Sequence, residues 1–254
     1  MNLDARYDIP NYRNDPVSIY KFVRAHRKDP AIAVGLPLKL SACYWLKSCQ
    51  GFIPKLKDNI LGRMLNREYE GDSYGEFTDE ERSTVRITGE SLYRCKTLRI
   101  NYTTYDVRRH ADTINPRWYP DIMVKSPESG PNAQPFWYAR VIGIFHALIS
   151  SSHTSVVDKS LHRMDFLWVR WFGVEPGRYQ YGIHHGRLPK IGFVESTDPY
   201  AFTFLDPAQA IRGVHIIPAF SEGRTSGLLP IAKSLSRILN IEEEDDWVNF
   251  YVNM

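Results

Sequence analysis

The strongest hydrophobic pattern in the chain runs from Phe136 to Phe172, where two apolar segments, FWYARVIGIFHALIS and MDFLWVRWF, flank a polar link. Between Val141 and His146 only Gly143 and His146 interrupt the apolar run, and neither a helix cap nor a breaker accompanies it. Such a run predicts a strand buried on both faces. In the second segment Leu167, Val169 and Trp171 alternate with Phe166, Trp168, Arg170 and Phe172, the period of two that a pleated strand requires. The strand of Arg140 is expected to pair antiparallel with the strand of Trp168 and to form the centre of a sheet.

Upstream the period changes. Residues 1 to 15 are polar and broken by Pro10, which predicts an extended arm that orders only by docking. Asp15 and Pro16 read as the cap and first residue of a helix carrying Ile19, Phe22, Val23 and His26 on one side. A second helix is predicted from Pro37 to Gln50 on the stripe Leu38, Ala42, Trp45, Leu46 and Cys49. A third restarts at Pro54 with Leu56, Ile60, Leu61 and Leu65. Their basic residues, Lys21, Arg24, Arg27, Lys28, Lys39, Lys47, Lys57 and Arg63, fall largely off these stripes. EYEGDSYG at 68 to 75 lacks either period and reads as a loop, and Thr78 with Glu81 matches a capping box.

Beyond it, short strands follow one another. Thr84 to Ile87 leads into TLRINYTTY, where Leu98, Ile100 and Tyr102 alternate with Arg99, Asn101 and Thr103. The connection INPRWYPD precedes a strand at Ile122 to Val124, and GVEPGRYQYGIHHGRLPK is a long excursion after the Trp168 segment. IGFVE, AFTFLD and AIRGVHIIPAF complete the series. Strands this closely spaced, with no helix-length amphipathic run between them, predict an antiparallel sheet curled into a small barrel. The expected class is α+β, with an N-terminal helical extension at 1 to 67, an acidic linker at 68 to 83, and a barrel-like domain with a C-terminal tail at 84 to 254.

Composition adds constraints. The net charge of +3 is a sum of unlike blocks: 12 bases against 5 acids through residue 67, 7 acids against 1 base from 68 to 82, and an acidic EEEDD run at 242 to 246. A basic surface partly shielded by acidic segments is one reading, and solvated faces are the other. Cys43, Cys49 and Cys95 are odd in number and fit buried free thiols in a reducing compartment. No stretch of eighteen apolar residues is present, and the start lacks a signal-peptide core, so an intracellular chain with no membrane partner is expected.

Candidate chemistry is sparse. Asp106, Asp112, Asp121, Asp165 and Asp206 lie near strand ends, where turn and cap roles explain them better than a two-metal site. His184 and His185, with His162 or His153, lack the companion spacing of a zinc site, and His146 reads as a core histidine. We therefore expect neither a cofactor, nor a metal, nor catalysis. Three faces remain as candidates for binding. Trp171, Arg178, Tyr179 and Tyr181 compose an aromatic face that suits a cation, or else cover the end of the sheet. Arg108, Arg109, His110, Arg117 and Trp118 form a basic cluster with an interleaved ring that suits phosphates. Arg24, Arg27 and Lys28 supply a third candidate contact to nucleic acid, weak and sequence-independent.

The blocks PFWYARVIGIFHA, LWVRWFG and IGFVESTDPYAFTFLDPAQAIRGVHIIP resemble the bromo-adjacent homology module of chromatin proteins, at Arg140, Trp171-Phe172, Phe193 with Ser196, and Ile211-Arg212-Gly213. That resemblance implies a protein or chromatin partner and a nuclear location. A longer likeness covers nearly residues 52 to 254. FIPKLKDNILGRML, FTDEERSTVRITG, LRINYTTYDVRRHADTINPRWYPDIMV, FLDPAQAIRGVHIIPAF and DDWVNFYVNM are similar to blocks of fungal Plavaka-type transposon-encoded proteins, related to CACTA elements. This implies an accessory or relic fragment of transposon origin. Members of that group carry a large upstream transposase core that this sequence lacks, and they continue past YVNM. The implied alternatives are a chromatin or nucleic-acid reader and the remnant of a transposase enzyme.

Overall fold

The structure is a computed structural model that describes residues 7–8, 17–18, 52–68, 70, 75, 77–103, 109–130, 133–174, 187–228 and 246–253. In chain order, the first elements are β1 (Tyr7–Asp8), β2 (Val17–Ser18), α1 (Phe52–Met64), α2 (Asp79–Ser83), β3 (Val85–Ile87), β4 (Ser91–Cys95), β5 (Leu98–Thr103), β6 (Arg109–Ile114) and β7 (Asp121–Lys125). The spine follows as β8 (Phe136–Ser151) and β9 (His162–Val174). After it come β10 (Lys190–Phe193), β11 (Phe202–Leu205), β12 (Ala210–Gly213), β13 (His215–Pro218), β14 (Arg224–Thr225), β15 (Asp246–Trp247) and β16 (Phe250–Asn253).

β8 and β9 pair antiparallel, as the alternation predicts, from Tyr138 opposite Phe172 to Ile149 opposite His162, with Arg140 opposite Arg170. β8 has 16 residues and β9 has 13. At about 3.3 Å per residue the longer strand spans roughly 50 Å, so each outer edge of the hairpin accommodates strands end to end. β7, β4 and β3 line the edge of β8, and β10 and β11 line the edge of β9.

This length overturns the expectation of N-terminal helices followed by a small closed barrel. The described residues are mostly strand with two helices, and the main sheet has eleven antiparallel strands, seven of them on a path β12-β7-β8-β9-β10-β16-β13 and the rest paired beside it. Among the described residues no ladder joins the two ends of that path, although only Val214 separates β12 from β13 in sequence. The fold is therefore not the barrel that the bromo-adjacent homology resemblance implied.

The N-terminal expectations fare unevenly. Val17–Ser18, placed at the start of the first helix by sequence, instead pair with Leu92 and Ser91, and Tyr7–Asp8 dock on Ile100 and Arg99. The rest of the first predicted helix and all of the second lie outside the described residues. The third is α1, with Leu56, Ile60 and Leu61 fully buried. It ends at Asn66, whose φ of 52° is the left-handed conformation that closes a helix, with Arg67 N–H donating to the Gly62 carbonyl.

A β-bulge explains how one strand serves two cores. Val141 opposes Val169 and Gly143 opposes Trp168, so Ile142 is the extra residue between them. Before the bulge Ala139 and Val141 pack in one cluster with Leu98, Ile100, Ile114, Val169 and Trp171. Past it the parity reverses: Ile144 joins that cluster, whereas Phe145, Ala147 and Ile149 turn to a second one under α1. Gly143 is required here, because a Cβ at that position would sit 2.4 Å from the Phe145 ring. A third cluster joins Tyr138, Phe172, Ile191, Phe193 and Phe250.

Helix α1 covers the outer edge of β11. Lys55 donates to the Pro199 and Phe202 carbonyls, Asn59 Nδ2 to the Phe204 carbonyl at 3.0 Å, and Arg63 to the Asp165 carbonyl at 2.7 Å. Arg63 also pairs with Asp206 at 2.8 Å. The edge carbonyls of a strand need partners, and these side chains at every fourth helical position supply them. Arg63, expected to face away, is thus part of the seam. Arg82 clasps Asp58 at 2.7 and 2.8 Å, which holds α2 against α1, and the Thr78–Glu81 capping box forms as the sequence predicts.

No helix among the described residues is long and apolar enough to cross a membrane.

Candidate functional site

The most exposed chemistry lies on the connection between β6 and β7. Pro116 fixes its own φ, and Asn115 closes the turn three ways. Its N–H donates to the Tyr119 carbonyl at 3.1 Å, and its carbonyl accepts from the Trp118 and Tyr119 amides at 3.1 and 3.0 Å. Its side-chain Oδ1 accepts from the Arg117 amide at 2.9 Å, the Asx turn that asparagine favours. The following residues anchor the turn to the spine: the Pro120 carbonyl accepts from Val141 N–H at 2.8 Å, and Asp121 holds Arg140 through two bonds at 2.8 and 3.1 Å.

Backbone bonds thus fix the turn while its side chains point outward. Trp118 is 60% exposed and Tyr119 is 71% exposed. Large rings cost solvation when displayed in this way, and such patches on soluble proteins mark contact surfaces. Arg117, between Pro116 and Trp118, is exposed beside them. Arg94 on β4 is pushed below the ordinary guanidinium range, by burial first and then by the charge of Arg117.

The residues singled out by sequence distribute as follows. Arg117 and Trp118 come together on the turn. Arg109 and His110 lie at the opposite end of β6, roughly 17 Å away along the strand for its five steps, so the cluster is divided. His110 Nδ1 contacts the Tyr102 hydroxyl at 2.9 Å, and Tyr102 donates to Asp112 at 3.0 Å. Asp112 also accepts from Gly213 N–H at 2.9 Å, which fastens the β5–β6 pair to β12. Trp171 is buried, its indole N–H donating to Thr203 Oγ1 at 2.7 Å and its ring edge-on to Trp137. Arg24, Arg27, Lys28, Arg108, Arg178, Tyr179 and Tyr181 lie outside the described residues. Tyr119 had not been singled out, although it was legible as the neighbour of Trp118.

The buried pair Cys95 and His146 merits a chemical test. Cys95 Sγ lies 3.4 Å from His146 Nδ1, and Tyr93 stacks on the imidazole with ring centroids 4.9 Å apart. Burial raises the thiol to about 11, and burial with the nearby Arg163 charge lowers the imidazole. Both shifts favour the neutral pair. A nucleophilic cysteine needs the opposite arrangement, a thiolate beside an imidazolium.

The carboxylates are dispersed among structural partners. Asp121 binds Arg140, Asp165 binds Arg163, Asp206 binds Arg63 and caps a 3-10 turn through Ala208 N–H, and Asp246 binds the fully buried Arg170 at 3.0 Å. Among the described residues no group of three His, Cys, Asp or Glu side chains could hold a metal ion.

A shallow cleft of about 430 Å³ lies between the end of β9, β10 and the β14–β15 ribbon, with Phe193 at its base and Glu195 as its one ionisable lining residue. Asn249 lines it too, donating from Nδ2 to Glu222 at 2.7 Å. Its Oδ1 has no partner, but it is sealed against Gly192, where a Cβ would lie only 2.7 Å from it. The acceptor contacts the glycine backbone and not the open cleft.

No family model, no curated protein and no solved structure matches this chain.

Proposed function

We propose that this protein is a non-catalytic interaction module whose docking face is the Arg117–Trp118–Tyr119 turn. The observation that carries the reading is the exposure of two adjacent large rings on a turn whose backbone is already satisfied internally. Trp, Tyr and Arg are the residues most enriched at the energetic centres of interfaces, and a pre-formed turn loses little conformational entropy on binding. The neutral Cys95–His146 pair and the engagement of Asp112, Asp121, Asp165, Asp206 and Asp246 with structural partners support the non-catalytic part. An accessory role within a transposon-encoded protein belongs to the same proposal and rests on the sequence blocks alone.

The test is titration of the full chain against three labelled probes: a single-stranded oligonucleotide, a duplex of equal length, and a polyglutamate peptide. At least one probe is expected to bind the wild-type chain and to lose ten-fold or more in affinity in the Trp118→Ala/Tyr119→Ala variant. Equal affinities in the two proteins for all three probes would remove the turn as a docking face.

A further inference from the structure

We infer that β5 and β4 present strand-acceptor sites, and that the N-terminal strands β1 and β2 are exchangeable occupants which an extended peptide of the same sequence can replace. These sites share no residue with the Arg117–Trp118–Tyr119 turn and owe nothing to the interaction-module reading.

Strand edges in this fold are covered in two different ways. The edge of β11 is closed by α1, whose Leu56, Ile60 and Leu61 are fully buried and whose Lys55 and Asn59 donate to the Phe202 and Phe204 carbonyls. Removing that cover means opening a core. β5 is covered by backbone alone. It pairs with β6 at all six positions from Leu98 to Thr103, and β1 lies on its other edge, with Tyr7 opposite Ile100 and Asp8 opposite Arg99. β4 pairs with β8 through Tyr93, Arg94 and Cys95, and with β2 through Leu92 opposite Val17 and Ser91 opposite Ser18. Among the described residues, the N-terminal strands thus meet β5 and β4 through ladders of two residues each.

Such ladders set few hydrogen bonds against the entropy of ordering the chain that makes them, which places β1 and β2 at the low-stability end of the fold. The strand beneath is built without them: β5 keeps its six pairs to β6, and its Leu98 and Ile100 are fully buried. Its edge therefore keeps its shape when β1 leaves, and the N–H and C=O groups that faced β1 then need another partner. An extended peptide supplies one by strand addition, its main chain giving affinity and its alternate side chains giving selectivity. The register sets Asp8 and Arg99, residues of opposite charge, at paired positions, a combination favoured across a ladder. The occupant with this register and charge is the N-terminal segment itself, supplied by the same chain or, on exchange, by a second copy.

The test uses the full chain carrying Tyr7→Pro, Asp8→Pro, Val17→Pro and Ser18→Pro. Neighbouring residues of an antiparallel ladder turn their N–H groups alternately to the partner and away, so replacing both members of each pair removes the inward donor whichever it is. A labelled synthetic peptide of residues 1–20 is expected to bind this variant about ten-fold or more tightly than the wild-type chain, whose own strands compete at high effective concentration. Amide exchange across residues 91–95 and 98–103 is expected to quicken in the variant and to slow again when the peptide is added. A peptide with the same four prolines is expected to bind neither chain. Unchanged circular dichroism and cooperative melting establish that the variant is folded. Should it fail to fold, Arg99→Glu, a change at an exposed position that sets like charges opposite each other, is expected to quicken exchange in β5, and Asp8→Lys in the same chain to reverse it. Absence of peptide binding to the proline variant, equal binding to both chains, binding by the proline peptide, or β5 exchange indifferent to these changes overturns the inference.

Discussion

Along α1, Lys55, Asn59 and Arg63 recur at every fourth residue, and each is used by the edge of β11 or the end of β9. On the Asn115–Tyr119 turn, Arg117, Trp118 and Tyr119 are adjacent, and backbone bonds hold the turn while its side chains face solvent. Both regions combine bases with large rings, since Arg63 also lies 5.5 Å over Phe166. The seam satisfies strand carbonyls and closes a core. The turn is closed by its backbone and the Asn115 amide oxygen, which leaves the Arg117, Trp118 and Tyr119 side chains exposed. A basic residue thus acquires its role from whether an unsatisfied group of the fold already claims it, and not from its place on a helical wheel.

The comparison is most strongly tested at Phe52, at the start of α1. Its ring is buried and meets Trp168 and Phe204 edge-on, with centroids 5.0 and 4.9 Å apart. Phe52→Ala is expected to cost about 3–5 kcal/mol in denaturant unfolding, a large share of the stability of a domain. A cost below about 1 kcal/mol would mean that α1 is not part of the core.

Arg63→Ala comes next. It removes the pair with Asp206 and the bond to the Asp165 carbonyl in a partly buried place, and about 1–3 kcal/mol is expected. Asp206→Asn in the same background, which keeps an oxygen for the Ala208 N–H, should add little to the loss, because the two changes share one interaction. Additive losses would show that the Arg63–Asp206 pair carries no coupling.

A smaller effect, dependent on pH, separates the buried core from the exposed turn. The folded state lowers the His146 pKa from its ordinary 6.5, so the unfolded chain binds the proton more readily. The contribution of His146 is therefore complete above about pH 6.5 and is lost as the pH falls from there toward the depressed folded value. His146→Gln should flatten the fall in melting temperature between pH 7.5 and 5 relative to the wild-type chain. Parallel curves would remove His146 from the acid response.

At the turn, stability should scarcely respond. Trp118→Ala and Arg117→Glu are expected to change unfolding free energy by no more than about 0.5 kcal/mol, since exposed side chains outside a cap or core contribute little. A loss above about 1 kcal/mol for Trp118→Ala would make its ring structural and would blur the contrast with α1.

Much of the spine was legible from sequence because alternation reports burial directly. Leu98 and Ile100 are buried beneath exposed Arg99 and Asn101, and the Val141–His146 run is covered on both faces, as their patterns predict. β6 was not legible: Arg-His-Ala-Asp-Thr-Ile carries almost no apolar period and is a strand because six residues pair with Leu98–Thr103. β2 was misread as a helix start, since Asp15-Pro16 is an equally good opening for either local structure once a partner strand such as β4 is present.

The sequence by itself determined the α1 stripe and the Thr78–Glu81 cap, because each depends on residues within a few positions of one another, and the antiparallel hairpin of β8 and β9, because two long apolar segments follow each other across one short link. Three features were decided only by tertiary structure. The Ile142 bulge redirects the inner face of β8 from one core to another, and its position depends on which residue of β9 faces Gly143. The sheet stays open because partners align end to end along long strands, a matter of pairing between residues far apart in sequence, 49 positions from Cys95 to Ile144 and 32 from Arg170 to Phe202. Whether Arg63 is buried in a seam or Arg117 is left beside two exposed rings depends on which distant carbonyl or carboxylate arrives next to it, and local sequence carries no record of that arrival.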